Sequence, residues 1–132
     1  MTNSTNSSNN PPPLDPERLV ELQDSLGMDA EELKMVVLDR FIKTVTEGFP
    51  LLMSLLGAQD APGFRLKSHQ LKGSGLNAGA MPLAALFMSL EEMGKNGDLS
   101  SAQPTLDLAL AEFSRLKDYL SSGAYPPSGS TT

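Results

Sequence analysis

The sequence contains no cysteine and no tryptophan, only two tyrosines and five phenylalanines, and a single histidine. The lack of thiols excludes a disulfide framework, thiolate metal ligation and cysteine nucleophiles together, and is compatible with a reducing compartment. Basic residues are in short supply: 10 Lys and Arg stand against 16 Asp and Glu, a net charge of −6. That balance disfavours phosphate backbones and anionic lipid as partners. No run stays apolar for the roughly 20 residues that a membrane-spanning helix needs. Met1–Pro13 has neither the charged nor the apolar region of a signal peptide. A soluble protein is expected, cytoplasmic by default. No internal repeat in the range of roughly 20–50 residues is visible, which removes solenoids and propellers. Strict alternation of apolar and polar residues is also missing, so strands are not expected.

A chain of 132 residues fits one domain. Residues 1–13 and 122–132 are polar and rich in Pro, Ser, Thr, Asn or Gly, a composition that cannot bury enough apolar surface to offset ordering entropy. They are expected to be disordered tails around a domain spanning 14–121. Within that domain the punctuation is helical. Asp15-Pro16 offers an N-cap and a first-turn proline for a short helix that ends near Leu26 before Gly27, with Leu19, Leu22 and Leu26 on its apolar side. Asp29 and Glu32 read as a capping box. From there Leu33, Val36, Val37, Phe41, Val45, Phe49, Leu52 and Leu56 recur at three- and four-residue spacing, a long amphipathic helix that Pro50 should kink rather than break. Asp60 and Pro62 open a third helix ending near Gly79, Pro82 opens a fourth ending at Asn96-Gly97, and a last one begins near Ser101 and Pro104. The seven methionines read mostly as core filler. Short links between amphipathic helices favour antiparallel neighbours. The expected fold is all-α, an antiparallel up-down four-helix bundle with an additional short N-terminal helix.

Chemistry concentrates between Ser68 and Ala80. On a helix His69, Lys72, Gly73 and Leu76 share one face, while Phe64, Leu71, Gly75 and Ala78 share the other. The histidine therefore points away from the core. Glycine inside a helix costs about 1 kcal/mol relative to alanine, and two fall here. Gly75 lies on the core side, where it lets a neighbouring helix approach. Gly73 lies one turn after His69 and leaves the imidazole open to a docking protein. Lys72 can set its ammonium beside a group carried on the ring, and neutral imidazole is a competent nucleophile near neutral pH.

His69-Gln70-Leu71-Lys72-Gly73-Ser74, followed by Asn77, Gly79 and Ala80, resembles the signature of histidine-containing phosphotransfer (HPt) domains. The likeness continues through Leu83, Leu86, Leu90 and Glu91 and covers about Leu19 to Leu120. Gly75 departs from it, standing where a second serine is frequent. The resemblance implies a four-helix bundle that accepts a phosphoryl group from a receiver-domain aspartate, as in a hybrid sensor histidine kinase, and passes it to a response regulator. His69 matches the phosphoacceptor, Lys72 the residue that stabilises the phosphoryl group, and Gly73 the small residue that keeps the surface open. Leu66 and Leu76 flank His69 in helical projection and are the candidate docking rim. The chain would be a phosphorelay intermediate with no kinase or hydrolase activity of its own, a monomer without cofactor, and Mg²⁺ would belong to the receiver.

Plainer readings apply to most of these residues one at a time. A lone histidine or lysine on a helix is usually a solvated surface group, and only their convergence on one face gives them weight. Glu31-Glu32 and Glu91-Glu92 lack the Glu-x-x-His spacing of a carboxylate metal bundle and read as a solvated face. The competing function is an interaction module that binds a receiver domain or sensor kinase through the same face without relaying phosphate. A helical enzyme using His69 as general base is weaker, because no second catalytic group is identifiable.

Overall fold

The computed structural model describes residues 11–126. All regular structure among them is helical. Helix α1 is Pro16–Leu26, opened by the Asp15 side chain accepting from the Glu17 amide and closed at Gly27 in the left-handed region. Asp29 and Glu32 form the reciprocal capping box that starts α2, Ala30–Leu33. A π-helical turn, Lys34–Leu38, carries this helix without interruption into α3, Asp39–Gly57. Then follow α4 at Ala61–Ala78, α5 at Met81–Asn96 and α6 at Ala102–Ser121.

The helix from α2 to α3 continues unbroken past Pro50, as expected. Its apolar register does not follow the expected pattern. A π turn adds a residue to the coil, so Leu33 and Leu38, five apart, both reach the core, and Val36 between them is 52% exposed. Leu26 is likewise half exposed, because α1 keeps only Leu19 fully inside, with Leu22 at the margin. Among the described residues the methionines are not core filler: Met35, Met53, Met81 and Met88 are exposed, and only Met28 and Met93 pack against the core's edge.

Helix α4 packs on both α3 and α5, and α6 packs on α5 and more lightly on α3. A single apolar core runs between them, with Phe49 meeting Phe87 and Phe113 in tilted pairs at 5.8 Å. The segments at either limit of the described residues contribute to it. Leu14 is fully buried, the Pro11 carbonyl accepts a hydrogen bond from Arg115, and Tyr125 is buried with its hydroxyl donating to the Ala30 carbonyl at 2.6 Å. The expectation of tails at 1–13 and 122–132 lies partly outside the described residues. Tyr125 differs from it, since one aromatic ring adds enough apolar surface to tether its short segment.

Candidate functional site

Helix α4 owes its position to its two ends. Asp60 accepts from the Gly63 amide at 3.0 Å and Pro62 occupies the first turn. At the other end Gly79 adopts φ 82°, which only glycine takes without strain. The Ala80 amide then reaches back to the Gly75 carbonyl at 2.8 Å, and the Gly79 carbonyl accepts from Asp15, tying α1 to the end of α4. This closing turn reverses the chain into α5.

The buried side of α4 is Phe64, Ser68, Leu71, Gly75 and Ala78. Two glycines bring α5 unusually close. A Cβ on Gly75 would lie 3.2 Å from that of Ala84, and one on Gly94 would lie 2.8 Å from the backbone of Arg65. The helices are thus antiparallel, with 65, 69 and 75 opposite 94, 91 and 84.

At this close approach Glu91 of α5 reaches over α4. Its Oε2 lies 2.9 Å from His69 Nδ1 and its Oε1 lies 2.8 Å from Lys72 Nζ. The Glu91 side chain is only 14% exposed, whereas that of His69 is 60% exposed. The Lys72 ammonium, and after it the His69 contact, hold the Glu91 carboxyl below its ordinary range against the opposing effect of burial. Carboxylate, imidazole and ammonium thus form one constellation, with the ring edge bearing Nε2 left free.

The residues singled out in the sequence come together as expected on one face. Nothing lies within 4 Å of where a Gly73 Cβ would be, so the surface beside His69 is open. Leu66 and Leu76 are about half exposed on either side, and Met88 of α5, one turn before Glu91, is exposed as well. Glu91 and Met88 were missed as site residues. Their signal lay in the turn: His69 stands ten residues before Gly79 and Glu91 ten after Met81, so an antiparallel pair places them at one level. Among the described residues no group of three or more His, Asp or Glu side chains could hold a metal ion, and no helix is long and apolar enough to cross a membrane.

The site is an accessible imidazole held by a carboxylate on the surface of an all-helical domain. The Hpt domain model matches residues 36–121, and the chain belongs to that family. It is a histidine phosphotransfer protein of a phosphorelay, working with receiver domains and response regulators. Among solved structures it is similar to the histidine-containing phosphotransfer protein B (HptB) from Pseudomonas aeruginosa PAO1. The two share 32% identity with a TM-score of 0.73, over 80% of this chain and 89% of the other. No curated protein matches the chain.

Proposed function

We propose that His69 is the phosphoacceptor and that Glu91 and Lys72 prepare it. The observation that carries this reading is the 2.9 Å contact between Nδ1 and Glu91 on a ring that is otherwise open. A carboxylate accepts only, so the neutral ring donates its proton from Nδ1 and presents the lone pair on Nε2. Nε2 attacks the phosphorus of a receiver aspartyl phosphate in line, the P–N bond forms, and the acyl P–O bond breaks with the electron pair returning to the aspartate carboxylate. The proton stays on Nδ1, and Glu91 faces the positive charge that the ring acquires. Lys72 carries three donors, so it can keep its bond to Glu91 while turning another toward the phosphoryl oxygens.

Transfer to a second receiver reverses these steps. The donor is the receiver of a hybrid sensor histidine kinase and the acceptor a response regulator, each bringing its own Mg²⁺. Gly73, Leu66 and Leu76 form the surface on which they dock. The chain acts as a cytoplasmic monomer with no independent kinase or hydrolase activity. The antiparallel run of α3 to α6, with α1 laid across the end of α4, supports an up-down four-helix bundle with an added N-terminal helix.

Phosphoryl transfer from labelled receiver domains in Mg²⁺ tests the reading. Acid-labile, base-stable label should appear on the wild type and be absent from His69→Gln. Label retained by His69→Gln would overturn it, and binding without any label would replace it by the interaction-module reading.

A further inference from the structure

Among the described residues Ser68 is the one polar residue that the core fully encloses, at 0% exposure, and its hydroxyl has no hydrogen-bond partner there. Thr46, Ser89, Thr105 and Ser121 turn their hydroxyls to the carbonyl four residues back along their own helices. Ser68 does not take that local bond, so its donor stands free inside the protein. An unmet hydroxyl at such depth destabilises the fold that holds it. Alanine in its place would avoid that cost and favour the helix.

The register of α4 on α5 places this hydroxyl. On α4 Arg65, Ser68, Lys72 and Gly75 follow one another at spacings of three, four and three residues, a single stripe turned to α5. The Arg65 backbone lies against Gly94, Lys72 reaches Glu91, and Gly75 faces Ala84. The antiparallel register that sets 65 opposite 94 and 75 opposite 84 also sets 68 opposite 91. From there the Glu91 side chain bends outward, with Oε1 2.8 Å from Lys72 Nζ and Oε2 2.9 Å from His69 Nδ1. Oε1 is buried, and its partner is the ionic contact with Lys72. A free buried donor therefore sits at the root of a buried acceptor.

During transfer that acceptor loses part of its partner. In the proposed reaction Lys72 shares its ammonium with the phosphoryl oxygens, which weakens its hold on Oε1 while the ring gains the positive charge that Oε2 faces. A carboxylate that swung away at that moment would leave the imidazolium unopposed. A carboxylate oxygen accepts from two sides, and a serine hydroxyl changes partner by rotation about one side-chain bond. We propose that Ser68 is a positioning residue for Glu91: its hydroxyl comes to Oε1 as Lys72 is shared with the phosphoryl group, and so keeps Oε2 on His69 through the transfer. The proposal rests on the reading of His69 as the phosphoacceptor. Hydrogen bonds to a charged acceptor are stronger than neutral ones, so a hydroxyl that destabilises the resting protein stabilises the transition state.

Phosphorylation of the intact chain by phosphoramidate, a small donor that needs no docking, tests the step apart from any partner. Ser68→Ala should melt no lower than the wild type by circular dichroism, yet take up the phosphoryl group on the order of tenfold more slowly, the weight of one hydrogen bond to a charged group. Glu91→Ala should also be slow, and adding Ser68→Ala to it should change the rate by less than about twofold, because no carboxylate remains to hold. The imidazole nitrogen shifts of His69 should agree between wild type and Ser68→Ala before phosphorylation and differ after it. A Ser68→Ala rate equal to that of the wild type would overturn the proposal. So would a loss that persists in the Glu91→Ala background or comes with a lower melting temperature, since either makes Ser68 a packing residue only. Wild-type protein that takes no phosphoryl group on His69 from phosphoramidate or from any receiver would overturn the relay reading, and this proposal with it.

Discussion

In a neutral imidazole one nitrogen holds the proton and the other the lone pair, so whichever group engages the first decides where the second points. Glu91, 2.9 Å from His69 Nδ1, is placed to make that decision. Glu91→Gln keeps an oxygen acceptor but loses the charge that, on the proposed reading, faces a phosphorylated ring, and transfer should slow on the order of tenfold, about 1.4 kcal/mol in the barrier. Rapid-quench transfer from a phosphorylated receiver measures it. The same carboxylate has a pH signature. Its folded pKa is depressed, by Lys72 first and His69 after, so its contribution to stability is present above the ordinary glutamate range and is lost as pH falls through the lowered folded value. Urea titrations at pH 7 and pH 3 should therefore show a stability gap between wild type and Glu91→Gln that closes at the lower pH. His69, Lys72 and Gly73 were legible in the sequence because one helical turn relates them. Glu91 was not, since its role exists only once α5 folds back on α4.

Two glycines of similar appearance in the sequence have opposite meanings once the helices are packed. Gly73 has free space where its Cβ would be, so Gly73→Ala should gain helix propensity of about 1 kcal/mol and raise the melting temperature by several degrees. It should also slow receiver transfer, because the methyl group would stand on the proposed docking face. Gly94→Ala would drive a methyl into the Arg65 backbone 2.8 Å away and should cost about 1–3 kcal/mol. It should also weaken the contact between Glu91 and His69, seen as a change in the imidazole nitrogen shifts by NMR. Helix boundaries were readable from Asp15, Asp29, Asp60, Gly79 and Gly97, whose capping chemistry is local. The phase of the helix carrying Val36 was not, because a π turn leaves no composition mark and shifts every apolar position before it relative to those after.

Across the described residues, the segments at Pro11 and Tyr125 close the structure. Arg115 holds the Pro11 carbonyl and is itself gripped by Glu112, while Tyr125 lies against the start of α2. Burial above all, and then the nearby Glu31, Tyr119 and Asp29 charges, push the Tyr125 phenol up to about 12. A raised phenol pKa means that its stabilising effect is complete below the unfolded value near 10 and disappears as pH climbs through the folded one. Tyr125→Phe should lose about 1 kcal/mol at neutral pH with the hydrogen bond to Ala30. Chemical denaturation between pH 10 and 12 should show a shallower decline for the variant than for the wild type, with Tyr119, also raised by burial, keeping part of the slope. A Pro-, Ser- and Gly-rich ending gave no warning of this, since a lone tyrosine in polar sequence carries no periodicity.

The openness of the His69 ring bears on time as well as on access. On the proposed reading, a phosphoryl group stored there would stand in bulk water, with no lid or pocket wall among the described residues to slow its loss. The lifetime of the stored message would then be set by the hydrolysis of an N–P bond in solvent, and a relay built on this protein would forget an input unless the next partner arrived before that chemical clock ran out.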